Sequence, residues 1–223
     1  MESLERYFPF WPRLSTALQN RLQSAARERH FAKSEPIRGG EDGCLGLLLV
    51  KFGQLRVFTV SAEGKELTLY RLLPGDLCLF SASCILPGIR FDVLLSAEQD
   101  TTVLQIPAQV YRSLMQESAA VANYTSELMA AHFSDVMWLM DQILNQKLDS
   151  RLAALLLEES ELISSDTLTV THEQLANHLG SPRETITRML RYFQNEGLVR
   201  LGRGKMVLTG RRQLLILAQN SRR

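Results

Sequence analysis

The stretch that most restricts what this chain of 223 residues can fold into is Thr169–Leu208, which runs TVTHEQLANHLG, SPRETITRMLRYFQNEGL and VRLGRGKMVL. A first helix, a tight turn at Gly180, a second helix carrying several arginines and a two-stranded wing follow in that order, the plan of a winged helix-turn-helix. Start signals place both helices. Thr171 with Gln174 three residues on is a capping box, and Leu175, Ala176 and Leu179 make the buried stripe behind it. Ser181 at the N-cap, Pro182 at the first helical position and Glu184 three residues after the serine predict the start of the second helix. At about 100° per residue, Ile186, Met189, Leu190 and Phe193 fall on one side of it, and Arg183, Glu184, Thr187, Arg188 and Arg191 on the other. Beyond Gly197, Leu198 and Arg200, then Met206 and Leu208, flank a turn at Gly202, Arg203 and Gly204, as the strands of a hairpin do.

The polar side of the second helix carries the chemistry that suits the major groove of double-stranded DNA. The planar fork of arginine can bond guanine O6 and N7 together, and a carboxylate can accept from the N4 amino group of cytosine. Arg183, Glu184 and Arg188 are therefore the candidate base readers. Glu184 has the capping box as a competing duty, Thr187 suits a phosphate or a thymine methyl, and Arg191, further from the helix start, suits phosphate. Charge also favours an anionic partner. Residues 181–223 hold ten Lys or Arg against two acids, whereas residues 1–180 hold 15 against 22, so the total of +1 conceals two oppositely charged parts. A cationic end draws in the phosphate backbone and releases its counterions. Arg200, Arg203 and Lys205 in the wing, with Arg211 and Arg212 after it, are candidate phosphate contacts, and the helix start at Thr171 offers backbone amides for the same purpose. Arg222 and Arg223 read as a frayed tail. A solvated face is the competing account of these arginines, and the concentration of positive charge weighs against it.

Upstream the pattern changes. Residues 12–29 are expected to form short helical turns, with Leu14, Leu18 and Leu22 four apart. From about Glu35, short apolar runs broken by glycine predict strands: LGLLLVKFGQLRVFTV, KELTLYRLLPGDL and RFDVLLSAEQDTTVLQIP. Val57 with Thr59, and Leu67 with Leu69, show two-residue alternation, and Gly53, Gly64 and Gly75 sit where turns are needed. Strands this short and closely spaced favour a barrel or roll over a parallel sheet, which needs crossover helices. After Pro107 the chain reads as helical to about Gln146. Within it Met129, Phe133, Val136, Met140 and Ile143 recur every four or three residues, a stripe that either a second copy of the chain or its own roll would bury. His132 beside the stripe reads as a hydrogen-bonded packing residue. A break is expected near Asn145–Asp149, then a helix from about Ser150 to Glu161, with Leu168 and Val170 beginning a short strand. The predicted class is α+β: a β-roll of the jelly-roll kind over 1–110, a long helix over 111–146 and a winged helix-turn-helix domain over 147–223.

No apolar run approaches the roughly 18 residues of a membrane span, and the first residues, with Glu2, Glu5 and Arg6, lack the pattern of a signal peptide, so a cytoplasmic protein without membrane contact is expected. Three cysteines, Cys44, Cys78 and Cys84, are an odd number for a disulfide framework and fit a reducing compartment. A glycine-rich phosphate loop, a metal-ligand spacing, and a serine or cysteine with an evident histidine partner are all missing, so the expected protein is not an enzyme. His172 and His178 are too isolated to suggest a metal site.

A glycine-punctuated roll, a long helix and a C-terminal reader in this order resemble the Crp/Fnr family of bacterial transcription regulators over nearly the whole chain. The match is strongest in RLAALLLE (Arg151–Glu158) and LANHLGSPRETITRMLRYFQNEGLV (Leu175–Val199). The resemblance implies a sensor roll of the cyclic-nucleotide-binding kind, a long dimerisation helix, base reading by Arg183, Glu184 and Arg188, contact with RNA polymerase, and a homodimer on a palindromic DNA site whose half-sites lie about 34 Å apart. The effector region departs from the family's cyclic-nucleotide binders, which carry a Gly-Glu pair soon after the GD turn and then an Arg-Ser pair. Here Gly75 and Asp76 lead into LCLFSASCILPGIRFD without a Gly-Glu pair, and Arg90 is followed by Phe91 and Asp92, a carboxylate that would repel a phosphate. Cyclic AMP is not the expected effector. The cysteine cluster that holds iron and sulfur in oxygen-sensing relatives is absent too, since no cysteine precedes Cys44. Cys78 and Cys84, six apart where relatives bind their signal, are either a thiol pair that senses oxidants, sulfur species or a metal, with Cys44 as a third ligand, or two small apolar core residues. The expectation is a homodimeric, DNA-binding transcription regulator controlled by an unidentified small effector in the roll, with its cofactors unknown. The rival is a sensor roll acting chiefly through protein contacts, with weak DNA binding.

Overall fold

The computed structural model describes residues 4–37, 45–79 and 93–219. The chain divides into two compact units, Met1–Thr59 with Leu69–Val136, and Val60–Thr68 with Met137–Arg223. Two short 3-10 turns, Leu4–Arg6 and Trp11–Arg13, and helix α1 (Thr16–Ala25) open the first unit. The strands β1 (Arg27–Phe31), β2 (Pro36–Ile37), β3 (Leu47–Phe52), β4 (Leu55–Val60), β5 (Glu66–Leu72), β6 (Leu77–Cys78), β7 (Leu94–Ala97) and β8 (Thr101–Ile106) come next. They make two four-stranded sheets, ordered β1-β8-β3-β6 and β2-β7-β4-β5, which is the expected roll.

Strand β3 explains the layering. Leu47 and Leu49 point into a cluster with Phe8, Leu22, Tyr111 and Leu114, while Leu48 and Val50 point between the sheets, against Leu55, Val57, Leu95 and Val103. The uninterrupted run LLLV is what a strand buried on both faces requires. In β4 the expected alternation at Val57 and Thr59 does not describe the strand, because Leu55, Arg56, Val57 and Phe58 are all buried. The Arg56 guanidinium lies over the Phe58 ring, 4.3 Å from its centroid, so a basic side chain covers apolar surface. The helical expectation for 12–29 also ends early. Strand β1 starts at Arg27 and pairs antiparallel with β8, from Arg27 opposite Gln105 to Phe31 opposite Thr101. Four of its five residues are exposed, so no apolar period announces it.

The helical stretch after Pro107 is interrupted once. Helix α2 (Ala108–Glu117) ends where Ser118 turns extended (φ −137°, ψ 113°), and α3 (Ala119–Asn145) runs for 27 residues beyond it. A buried hydrogen bond of 2.8 Å between Tyr111 Oη and Thr125 Oγ1 ties the two helices together. Next come α4 (Leu148–Leu162), β9 (Thr167–Leu168), α5 (His172–Leu179), α6 (Arg183–Asn195), β10 (Val199–Gly202), β11 (Lys205–Leu208) and α7 (Arg211–Gln219). Residues 146 and 147 separate α3 from α4, inside the expected break. One apolar cluster of α4, α5, α6, α7 and the wing strands forms the core of this part. Helix α7 was not anticipated, and it corrects one expectation. Arg211 is not an outward phosphate contact: Nη1 donates to Ser160 Oγ (2.8 Å) and Asp166 Oδ1 (3.0 Å), and Nη2 lies 3.3 Å from Glu161 Oε1. Paired with the end of α4, its charge anchors the last helix.

The glycine at the β3–β4 turn is held by geometry. Gly53 has φ +89°, and a Cβ there would stand 2.5 Å from Asp100 O and 2.6 Å from Thr101 Cα. Replacing Gly53 by Ala should cost about 2–3 kcal/mol of stability, measured by urea unfolding. A loss below about 0.5 kcal/mol would mean that the turn relaxes freely.

Candidate nucleic-acid interface

The helix-turn-helix is built from its caps inward. At the start of α5 the capping box is complete: Thr171 Oγ1 accepts from Gln174 N (3.1 Å), and Thr171 N donates to Gln174 Oε1 (2.8 Å). Both groups of Thr171 thus serve the helix start. At its end Gly180 is left-handed (φ 64°), and the amides of Gly180 and Ser181 both donate to Ala176 O. Arg151 of α4 adds a bond from Nη2 to Leu179 O (3.0 Å), a cation at the negative end of the helix dipole.

The start of α6 differs from expectation. Pro182, not Ser181, is the N-cap, the helix begins at Arg183, and no side chain caps it. The reason is local: the Ser181 amide is committed to closing α5, and Pro182 keeps an extended ψ of 139° while its carbonyl accepts from Thr185 and Ile186. Glu184 is thereby released from the capping duty that competed with base reading. The division of faces is unaffected, because it depends on helical pitch alone. Ile186, Leu190 and Phe193 are fully buried, with Met189 partly so.

On the opposite side Arg183, Glu184, Thr187, Arg188 and Arg191 line one open groove of about 420 Å³. Two residues of α5 contact its lining. Glu173 Oε2 lies 3.7 Å from Arg183 Nε, an exposed pair of small energetic weight. His172 Nδ1 lies 2.9 Å from Thr187 Oγ1. Burial, with Arg183 and Arg191 nearby, holds the His172 imidazole below its ordinary pKa. Sequence spacing does not pair His172 with Thr187, since residues fifteen apart meet only when α5 and α6 cross.

Strands β10 and β11 pair from Val199 opposite Leu208 to Gly202 opposite Lys205, leaving a two-residue turn of Arg203 and Gly204 (φ 70°). Gln194 Oε1 accepts from Leu201 N (2.9 Å), which fixes the wing to α6. Arg200, Arg203 and Lys205 are exposed on it. The site therefore gathers exposed cationic and polar side chains of α6 and the wing on the side opposite a buried apolar face.

The remaining candidates lie elsewhere. On α3, Phe133 (66% exposed), Met140 and Ile143 face outward, Val136 is half-buried, and Met129 packs against the core of its own roll. Met137 and Leu144 (74% exposed) extend the outward stripe. Cys78 is fully buried in β6. Its proposed companions Cys84, Cys44 and Arg90 lie outside the described residues. Beside Cys78 the structure places two residues that the sequence did not single out as a pair: the Tyr70 ring stacks on the His132 ring (centroids 4.7 Å apart, 17° between planes), and His132 Nε2 lies 3.3 Å from Leu77 O. Burial pushes the Tyr70 phenol well above its ordinary pKa, and the Cys78 thiol adds to this. His132 is thus a packing residue, as expected. Among the described residues no three His, Cys, Asp or Glu come together as a metal site, and no helix is long and apolar enough to cross a membrane.

Comparison with known proteins accords with this geometry. Residues 28–118 match the cyclic nucleotide-binding domain, and residues 150–216 match the Crp-like helix-turn-helix domain. A crystal structure of a Crp/Fnr-family protein from Eubacterium rectale is 52% identical, superposes with a TM-score of 0.93, and the match covers 96% of this chain and 100% of that one. The cyclic AMP receptor protein of Thermus thermophilus is 29% identical over 178 residues, 80% of this chain and 82% of that protein. A Crp/Fnr-family transcriptional regulator of the same organism is 26% identical, with a TM-score of 0.65 over 86% of this chain and 98% of its own. The chain belongs to the Crp/Fnr family of transcription regulators, whose helix-turn-helix domain binds DNA.

Proposed function

We propose that this regulator works as a cytoplasmic homodimer that performs no catalysis, reads a palindromic operator with two copies of α6, and answers to a small effector other than cyclic AMP in its roll. The observation that carries the reading is the groove of α6, where two arginines and a glutamate suited to base edges stand beside Thr187 and Arg191 on the face opposite a buried stripe. In this reading Arg183, Glu184 and Arg188 contact bases, with Thr187 at a base or phosphate. Arg191, Arg200, Arg203 and Lys205, with the start of α5 at Thr171, hold phosphates. RNA polymerase is the further partner.

The dimer contact is the outward stripe of α3, Phe133, Val136, Met140 and Ile143 with Met137 and Leu144, since apolar side chains this exposed favour association with a twin helix. Met129 contributes from the rim, being already engaged by its own roll. The domain limits are those of the sequence: a sensor roll to about residue 110, the long helix to 146 and the reader from 147. The effector acts by population shift, favouring one pairing of the long helices over another. The route out of the roll is short, because β6 touches α3 through Leu77 and His132. The name of the Thermus relative points to cyclic AMP for that protein, but the Gly-Glu pair and the phosphate-holding Arg-Ser pair of cyclic-nucleotide binders are missing from the effector region of this sequence. Cys78, with Cys84 and Arg90, remains the candidate sensing set, and the full burial of Cys78 supports the packing alternative for that residue.

Three measurements test these assignments. Arg188→Ala should cost about 1–3 kcal/mol at the cognate duplex and relax the preference at one base pair, whereas Arg191→Ala should weaken binding to every duplex alike and lower the salt slope by about 1. Fluorescence anisotropy across salt concentrations checks both, and a uniform loss in both variants would reverse the assignment of readers. Met140→Lys should weaken the dimer by about tenfold or more, read by analytical ultracentrifugation, and an unchanged dimer would move the interface off α3. Under the thiol-sensing account the DNA affinity of the wild type differs between oxidised and reduced protein, and that of Cys78→Ser, Cys84→Ser does not. Equal affinities in all four samples leave the cysteines as packing residues.

A further inference from the structure

The hydrogen bond between His172 and Thr187 joins a titratable group to a side chain of the reading groove. Thr187 is one of the five residues that line the groove, and its Oγ1 is 2.9 Å from His172 Nδ1. A threonine hydroxyl has one proton to give and lone pairs to accept with. The use of one by a protein partner decides what is left for DNA. Neutral imidazole can leave Nδ1 unprotonated, so that Thr187 donates to it and turns a lone pair to the groove. Imidazolium carries protons on both nitrogens, so Nδ1–H must donate to Oγ1 and the Thr187 proton must turn outward.

We infer that His172 sets the sense of the Thr187 hydrogen bond and thereby makes the base preference of α6 depend on protonation. The inference rests on α6 being the DNA-reading helix. His172 is a positioning residue in it, acting on DNA through Thr187. In the neutral state Thr187 can accept from an exocyclic amino group, such as N6 of adenine or N4 of cytosine. In the charged state its proton is released to the groove beside the remaining lone pair, which adds thymine O4, guanine O6 or a phosphate oxygen as partners.

The charges around His172 decide when this happens. Arg183 and Arg191 face it from α6, and Glu173 neighbours it on α5, itself engaged with Arg183. In the free protein burial and the two arginines disfavour imidazolium, so His172 is neutral near pH 7 and charges only below its ordinary pKa of 6.5. Bound DNA brings phosphates to the same surface, which favours the charged form and raises the pKa. Binding therefore takes up a proton in the window between the free and the bound pKa, and the charged form gains as pH falls through that window.

Selection of duplexes from a random-sequence pool by the full-length protein, once at about pH 8 and once at about pH 5.5, tests this directly. The wild type should enrich sequences that differ at one base pair per half-site between the two conditions, and each enriched duplex should bind about threefold to tenfold tighter at its own pH than the other does. His172→Gln, which keeps a hydrogen-bonding side chain beside Thr187 but does not titrate, should enrich one sequence at both pH values, as should Thr187→Val. Identical enrichment by the wild type at the two pH values overturns the inference while leaving DNA reading intact. The inference is equally overturned if His172→Gln shows the same pH-dependent shift as the wild type. No enrichment by the wild type at either pH overturns the DNA-reading function and the inference with it.

Discussion

The burial of Ile186, Leu190 and Phe193 decides where the functional groups of the reader point. These side chains sink into a cluster with Leu152 and Leu156 of α4 and Leu175 and Leu179 of α5, and none of the three retains exposed surface. A helix so anchored cannot rotate without returning that apolar surface to water, at roughly 2 kcal/mol for each large side chain. Arg183, Glu184, Arg188 and Arg191 are outward because the opposite face has no alternative. The neighbouring bonds refine the same placement: Arg151 holds the end of α5, Gln194 holds the wing to α6, and Arg211 holds α7 to the end of α4.

A comparable constraint organises the roll. Burial of β3 on both faces forces one layer of helices and N-terminal turns outside its sheet and a second sheet on the inner side. Helix α3 is thereby tied to the roll along its first half, through the Tyr111–Thr125 bond and the contact of His132 with Tyr70 and Leu77. Its second half carries the outward apolar stripe. In the proposed mechanism that asymmetry matters, because a change at β6 acts on a helix whose far end meets its twin. Packed elements shift between discrete arrangements and do not deform smoothly, so a small displacement there can select between two pairings.

The chemistry of the reading groove is more coupled than a row of independent contacts. Glu184 is free of capping duty only because Pro182 takes the N-cap, and Thr187 shares its hydroxyl with a histidine from the preceding helix. The concentration of arginine contributes affinity for any duplex through counterion release. In the proposed reading, selectivity falls to the few side chains whose hydrogen-bonding sense is set by neighbours.

Periodicity and capping chemistry in the sequence were enough to determine the reader, the roll and the long helix, because those signals are local: a pitch of about 3.6 residues, a Thr-x-x-Gln box, glycines at left-handed turns. The division of α6 into a buried and a polar face was legible for the same reason. Contacts between elements were not. The Ser181 amide is spent on α5, a bond made across the turn and invisible to a cap rule that considers one helix at a time. Strand β1 is defined by its partner β8 and carries no apolar period of its own. Arg211 counted as one more positive charge until the fold set it against Asp166 and Ser160, and His172 looked isolated until α6 crossed α5. Tertiary structure alone decided these, since a side chain's partner depends on which distant segments the hydrophobic core draws together.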